Sequence, residues 1–152
     1  MLVAPHFLVG AAVAAHTHEF WPTALAVLTC HFVMDHIPHR DSIGGFHLSA
    51  PNFILRLGID ATITLALFFS FVPIDRWVYI FSLSVISILP DLIEAIGLFW
   101  PAWYQQPIMK QFHYWHTEIL QSNSRGLGWL WGLFPQIILI VVAIYFITKP
   151  LA

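Results

Sequence analysis

Within nine residues the chain places His31, Asp35, His36 and His39, in the stretch HFVMDHIPH. Imidazole nitrogen and carboxylate oxygen are the donors that zinc, manganese and iron accept. His31 and Asp35 lie four apart and would share one helical face. His39 extends that row only if a helix survives Pro38, and His36, about 100° around the helix from Asp35, is the weaker ligand candidate. Asp91 and Glu94 are three apart, as are His113 and His116, while His6 and Asp60 stand singly. Arg56 precedes Asp60 by four residues, so Asp60 reads equally well as a salt-bridge partner. The candidate ligands are therefore His6, His31, Asp35, His39, Asp60, Asp91, Glu94, His113 and His116. That set exceeds the needs of one four-coordinate ion, and points to two or more metals or to one metal with supporting carboxylates. A proton or ion pathway would use the same groups, and any single histidine reads as well as a hydrogen-bonded structural residue. His16, His18 and His47 fall in loops and are read as structural.

These groups must be positioned by a very apolar chain. Of 152 residues 59% are hydrophobic and 9% charged, against roughly 25% charged in a soluble domain. The expectation is an all-α integral-membrane bundle forming one domain over residues 1–152. A net charge of -2 with six basic residues argues against nucleic acid as a partner. The single cysteine, Cys30, rules out an internal disulfide and reads as a small hydrophobe. No basic stretch precedes the first apolar run, which argues against a cleaved signal peptide.

A crossing helix needs about 20 apolar residues. Hydropathy and proline breaks predict spans at Pro22–Ile37, Asn52–Val72, Arg76–Trp100 with a tilt or a kink at Pro90, and Gly128–Thr148. The Ala-rich opening, Leu2–Phe20, reads as a first helix packed inside the bundle, since small side chains allow close approach. The result is about five transmembrane helices. Between the last two lies an aromatic segment, Pro101–Leu127, read as containing an interfacial helix.

Five spans put His6, His31, Asp35, His39, Asp60, Asp91, Glu94, His113 and His116 within about 10–14 Å of one face. Arg40, Arg56, Lys110 and Arg125 fall on that face, against Arg76 and Lys149 on the other, so the positive-inside rule makes it cytoplasmic. Arg40, Arg56 and Lys110 at its rim are candidates to hold a phosphate.

The stretches PHFLVGAAVA, HFVMDHIPH, LPDLIEAIG and FHYWHTE resemble small membrane-bound metal-dependent hydrolases of prokaryotic inner membranes. The similarity is to the LexA-binding inner-membrane hydrolase-like proteins and to the related zinc-dependent phospholipase C-like group. The matching positions are His6, Asp91 after Pro90, and His113 with His116 before Thr117; the row His31, Asp35, His39 is similar to the group's His-x3-Asp ligand pattern. The chain lacks the His-Arg-Gly run that precedes the paired histidines in that pattern. The resemblance implies a divalent metal, zinc first, and a lipid or membrane-associated ester, phosphoester or amide as substrate. Independently of it, a metal would activate water, and a spare acid would serve as general base, Glu94 first and Asp60 second. A metal-ion or proton transporter is the alternative reading, and a structural protein with a metal staple the third. Nothing in the sequence sets the oligomeric state.

Overall fold

The computed structural model describes residues 1–40, 50–122 and 127–149; His47 and Arg125 lie outside them. All regular structure among the described residues is helical. The helices are α1 (Val3–Ala15), α2 (Phe20–Asp35), α3 (Ala50–Phe71), α4 (Trp77–Ser87), α5 (Leu89–Phe99), α6 (Pro107–His113) and α7 (Trp129–Thr148). A 3-10 turn, Pro101–Gln105, precedes α6, and a π-helical stretch, Tyr114–Leu120, continues it.

Helix α1 is the axis of the bundle and packs against α2, α3, α4 and α7. Its Ala and Gly side chains make this possible. A Cβ on Gly10 would stand 2.6 Å from Ser87 Oγ and 3.3 Å from Ser84 Cα, so only glycine lets α1 and α4 approach so closely. Phe7, Leu8, Phe68, Ile80 and Leu83 fill the surrounding core.

A buried helix must satisfy its terminal backbone groups from elsewhere, and α1 starts at Leu2, which offers no capping side chain. Other helices supply the caps. Gln136 Oε1 accepts from the Leu2 amide at 2.9 Å, and Asp60 accepts from Val3 at 2.6 Å and Ala4 at 3.3 Å. At the other end the Arg76 guanidinium donates to the carbonyls of Ala15 (2.5 Å), Thr17 (2.6 Å) and Ala14 (3.1 Å). An anion at the N-terminus and a cation at the C-terminus both oppose the helix dipole favourably.

Two described helices are long and apolar enough to cross a membrane, over Ile54–Phe71 and Leu130–Thr148. Helices α4 and α5 make a third if taken as one span bent by 58°. The expectation of about five spans is therefore corrected to two or three. The reason is length: at 1.5 Å per residue, α1 and α2 reach only about 20 and 24 Å, short of the roughly 30 Å of a hydrocarbon core. The expected fourth span breaks at Ile88, just before Pro90, whose ring cannot continue the preceding helix. Large apolar side chains point outward along the candidate spans, among them Ile59, Ile63 and Phe69 on α3 and Ile137, Val141 and Tyr145 on α7.

Replacing Asp60 by alanine removes the acceptor for two α1 amides, and the expected loss is about 1–2 kcal/mol. Thermal unfolding of the purified chain measures it. An unchanged midpoint would remove Asp60 from the role of cap.

Candidate metal centre

Asp35 is the last residue of α2, and its side chain is wholly inaccessible. Three imidazoles from three elements aim Nε2 at its carboxylate. His6 on α1 lies 3.1 Å from Oδ1, and His31, one turn earlier on α2, lies 3.2 Å from Oδ2. His116, from the π-helical stretch, lies 2.8 Å from Oδ2. The His31 and His116 Nε2 atoms are themselves 3.3 Å apart. Asp91, in the first turn of α5, completes the group: Oδ1 is 3.8 Å from His31 Nε2 and 3.7 Å from His116 Nε2. The break between α4 and α5 turns this residue inward, and the aspartate also suits a helix N-terminus.

His31, Asp35, Asp91 and His116 can hold a metal ion, one donor atom from each lying within 4.8 Å of all the others. Four tetrahedral ligands at about 2.0–2.1 Å from an ion are separated by about 3.3 Å, and the pair distances above bracket that value. Burying such groups without a shared cation is costly. The second ring nitrogens of His6 and His31 are buried with no hydrogen-bond partner among the described residues. Access differs within the group: the Asp91 side chain is 23% exposed, whereas those of His31, Asp35 and His116 are at most 2% exposed. Among these four residues, Asp91 is the one whose side chain reaches the surface.

Behind His116 stands Glu94, also buried, with Oε1 3.8 Å from His116 Nδ1. Its Oε2 accepts from Nδ1 of half-exposed His113 at 2.8 Å. Glu94 thus faces the far side of the His116 ring from Asp35, where a carboxylate fixes the orientation of a ligating imidazole. Tyr104 packs its ring on His113 and donates its hydroxyl to the Glu94 carbonyl at 2.7 Å. Desolvation, then the Glu94 charge and hydrogen bond, push the Tyr104 pKa to about 12.

The remaining expected site residues stand apart from the Nε2 convergence. Asp60 spends both oxygens on the amides of α1. His39 is buried beyond α2 and donates from Nδ1 to the Ile37 carbonyl at 2.7 Å. Exposed His36 lies outside the group. Arg40 donates to the Leu127 carbonyl at 3.0 Å and joins the chain after α2 to α7 through its amide and Gly132. Arg56 is half-buried on α3, and Lys110 is exposed on α6. Cys30 is half-buried on α2.

Two contributors escaped sequence reasoning. Gln121 Nε2 donates to Asp35 Oδ2 at 3.4 Å, and Ser87 Oγ donates to the His6 carbonyl at 2.8 Å. Gln121 lies five residues after His116, a spacing that shares a face only on a π-helix, which sequence does not announce.

No family model, curated protein or solved structure matches the chain.

Burial opposes a charge on His116, but its contacts with Asp35 and Glu94 outweigh burial and raise its pKa from 6.5 to about 9. A raised pKa stabilises the metal-free fold fully below about pH 6.5, and that contribution fades as pH rises through about 9. Metal uptake makes the opposite demand, since His116 must release its proton to bind an ion. Zinc affinity, measured by competition with a chelator, is expected to rise with pH between about 6 and 9. Elemental analysis is expected to find metal in the wild type and at most a trace in the His31→Ala/Asp91→Ala double variant. Equal metal in the two would sink the assignment.

Proposed function

We propose that the chain is a membrane-embedded, metal-dependent hydrolase of a lipid or another membrane-associated ester, phosphoester or amide. The observation that carries this reading is that Asp91 alone among the four candidate ligands has an accessible side chain, in an otherwise buried His/Asp cluster. A structural metal site is closed by its protein ligands, whereas a catalytic one keeps a position free for water and substrate. Zinc suits the mixed nitrogen and oxygen donors. The outward apolar faces of α3 and α7 support a bilayer setting, because soluble proteins rarely expose contiguous apolar surface on this scale.

When bound, a divalent ion in such a site supplies a water activated near neutral pH and a Lewis-acid centre for the scissile group. The chain's own residues supply the rest. His31, His116, Asp35 and Asp91 hold the ion, and Glu94 orients His116. Glu94, the first choice from sequence as proton acceptor, instead stands behind His116 on its Nδ1 side, with Oε2 joined to His113, and supports the ring rather than facing the Nε2 convergence. Asp60, the second choice from sequence, acts instead by capping the helix that carries His6. Exposed Lys110 is the most available of the three cations for an anionic headgroup. The family resemblance given by the His and Asp motifs points the same way.

A transporter is the second reading, and one observation favours it. Asp91 sits just past a helix break, and discontinuous helices carry ion sites in transporters. Against it, the opposite end of α1 is closed by Arg76, which is committed to three carbonyls.

The metal-loaded chain in phospholipid vesicles is expected to release water-soluble headgroup or fatty acid, and Glu94→Gln is expected to slow release or weaken metal binding about 10–100-fold. Wild-type turnover and metal affinity in that variant would remove Glu94 as the support of His116. Metal flux across the vesicle wall without product release would replace the hydrolase reading with the transporter.

A further inference from the structure

Of the three imidazoles around Asp35, two address one of its oxygens and the third addresses the other. His31 and His116 lie 3.2 and 2.8 Å from Oδ2, and His6 lies 3.1 Å from Oδ1. The donors that close within 4.8 Å of one another belong to His31, Asp35, Asp91 and His116, without His6. Yet His6 is buried as deeply as the ligands themselves. An imidazole placed there outside the ligand group needs another reason for its position.

The contacts of the His6 ring are those of a donor. A neutral imidazole carries one N–H, and its hydrogen bonds decide which nitrogen holds it. Nδ1 is buried with no hydrogen-bond partner among the described residues, whereas Nε2 faces a carboxylate oxygen at 3.1 Å. The proton therefore belongs on Nε2, where it leaves no lone pair for an ion. The Met1 ammonium, 3.7 Å from Asp35 Oδ1, and Asp91 Oδ2, 3.9 Å from His6 Nε2, stand at ion-pair distances beyond hydrogen-bond range. The Gln121 amide goes to Oδ2 instead. The His6 ring is itself held: it packs on the His31 ring with centroids 4.1 Å apart, and its carbonyl accepts from Ser87 Oγ at 2.8 Å.

We propose that His6 is a positioning residue of the metal centre: it donates from Nε2 to Asp35 Oδ1 and so fixes the carboxylate with Oδ2 turned to the ion held by His31, His116 and Asp91. This rests on the metal reading above, and it removes His6 from the ligand set that the sequence suggests. Ligating carboxylates are themselves held by hydrogen bonds, and loss of such a partner costs about 10–100-fold in metal affinity. A carboxylate free on both oxygens can chelate an ion and fill a position that a hydrolytic site keeps for water. The His6 contact leaves Asp35 one oxygen for the ion. It also ties the site to the start of α1, where Asp60 and Gln136 cap the helix that carries His6.

The experiment loads the full-length chain, carrying isotope-labelled histidine nitrogens, with spin-active cadmium and counts the imidazole nitrogens coupled to the metal by nuclear magnetic resonance. Two are expected, those of His31 and His116. Any other count overturns the proposal, three by making His6 a ligand, while leaving the metal site intact. Chelator competition then compares two variants. His6→Leu removes the donor and is expected to weaken cadmium binding about 10–100-fold. His6→Gln, whose amide Nε2 donates in its place, is expected to recover most of that loss. Unchanged affinity in His6→Leu, or an equal loss in both variants, overturns the positioning role. No bound cadmium in the wild type overturns the metal reading together with it. The wild-type count decides the matter even if neither variant folds.

Discussion

A buried carboxylate with no access to water must be surrounded by partners, and Asp35 is that constraint in this protein. Three imidazoles and a glutamine amide converge on it from α1, α2 and the stretch after α6, and the buried Met1 ammonium lies 3.7 Å from Oδ1. Removing one partner from such a cluster leaves an uncompensated charge at a penalty of several kcal/mol. The chain therefore cannot separate these elements without exposing or neutralising Asp35. The same demand makes the cluster a good cation site: donors packed this tightly around two carboxylates are best satisfied by positive charge.

The rest of the molecule buries many polar side chains beside its apolar core and turns large apolar ones outward. Buried polar side chains, including His6, His31, Glu94, His116 and Gln136, occupy the interior, while Ile, Val, Phe and Trp side chains face outward on α3 and α7. In lipid the outward faces lose nothing, and association of helices depends on close packing and polar contacts rather than on the hydrophobic effect. Helix α1 fits that setting. Alanine and glycine let its neighbours approach, and its terminal amides and carbonyls are satisfied by Asp60, Gln136 and Arg76.

Parts of this were legible in the sequence. An acid four residues after a histidine in an apolar run needs a partner, and acids inside an apolar span need a reason to be there; those two rules select His31, Asp35, Asp91 and Glu94. The helical class followed from composition and the central place of α1 from its small residues. Periodicity was silent on how each helix is rotated relative to the others. It could not separate Asp60, which turns to the α1 amides, from Asp91, which turns to the histidines, although both lie on apolar helices. A missing N-cap at Leu2 was the available signal that some other residue must serve α1. The pairing of His113 with His116 was read on an α-helical face. The π-helical stretch instead sends His116 to Asp35 and leaves His113 on Glu94. Span counting failed for a simpler reason: the first two apolar runs were counted as spans although their helices are too short to cross, and the bend expected at Pro90 is 58°, which splits one run into two helices.

Capping and site geometry meet in α1. His6 sits in its second turn, and the first turn is held by Asp60 from α3 and Gln136 from α7. The Gln136 amide also donates to the Arg40 carbonyl at 2.8 Å, so one side chain ties the start of α1 to the chain that leaves α2 just past Asp35. Ser87, at the end of α4, binds the His6 carbonyl immediately before the break that delivers Asp91. The positions of His6, Asp35 and Asp91 are thus set by polar contacts between helix ends rather than by apolar packing alone. Such contacts are directional, and they are strong where water is absent. A site that must hold five side chains around shared oxygens needs that directionality, and a bundle joined only by apolar side chains would not provide it.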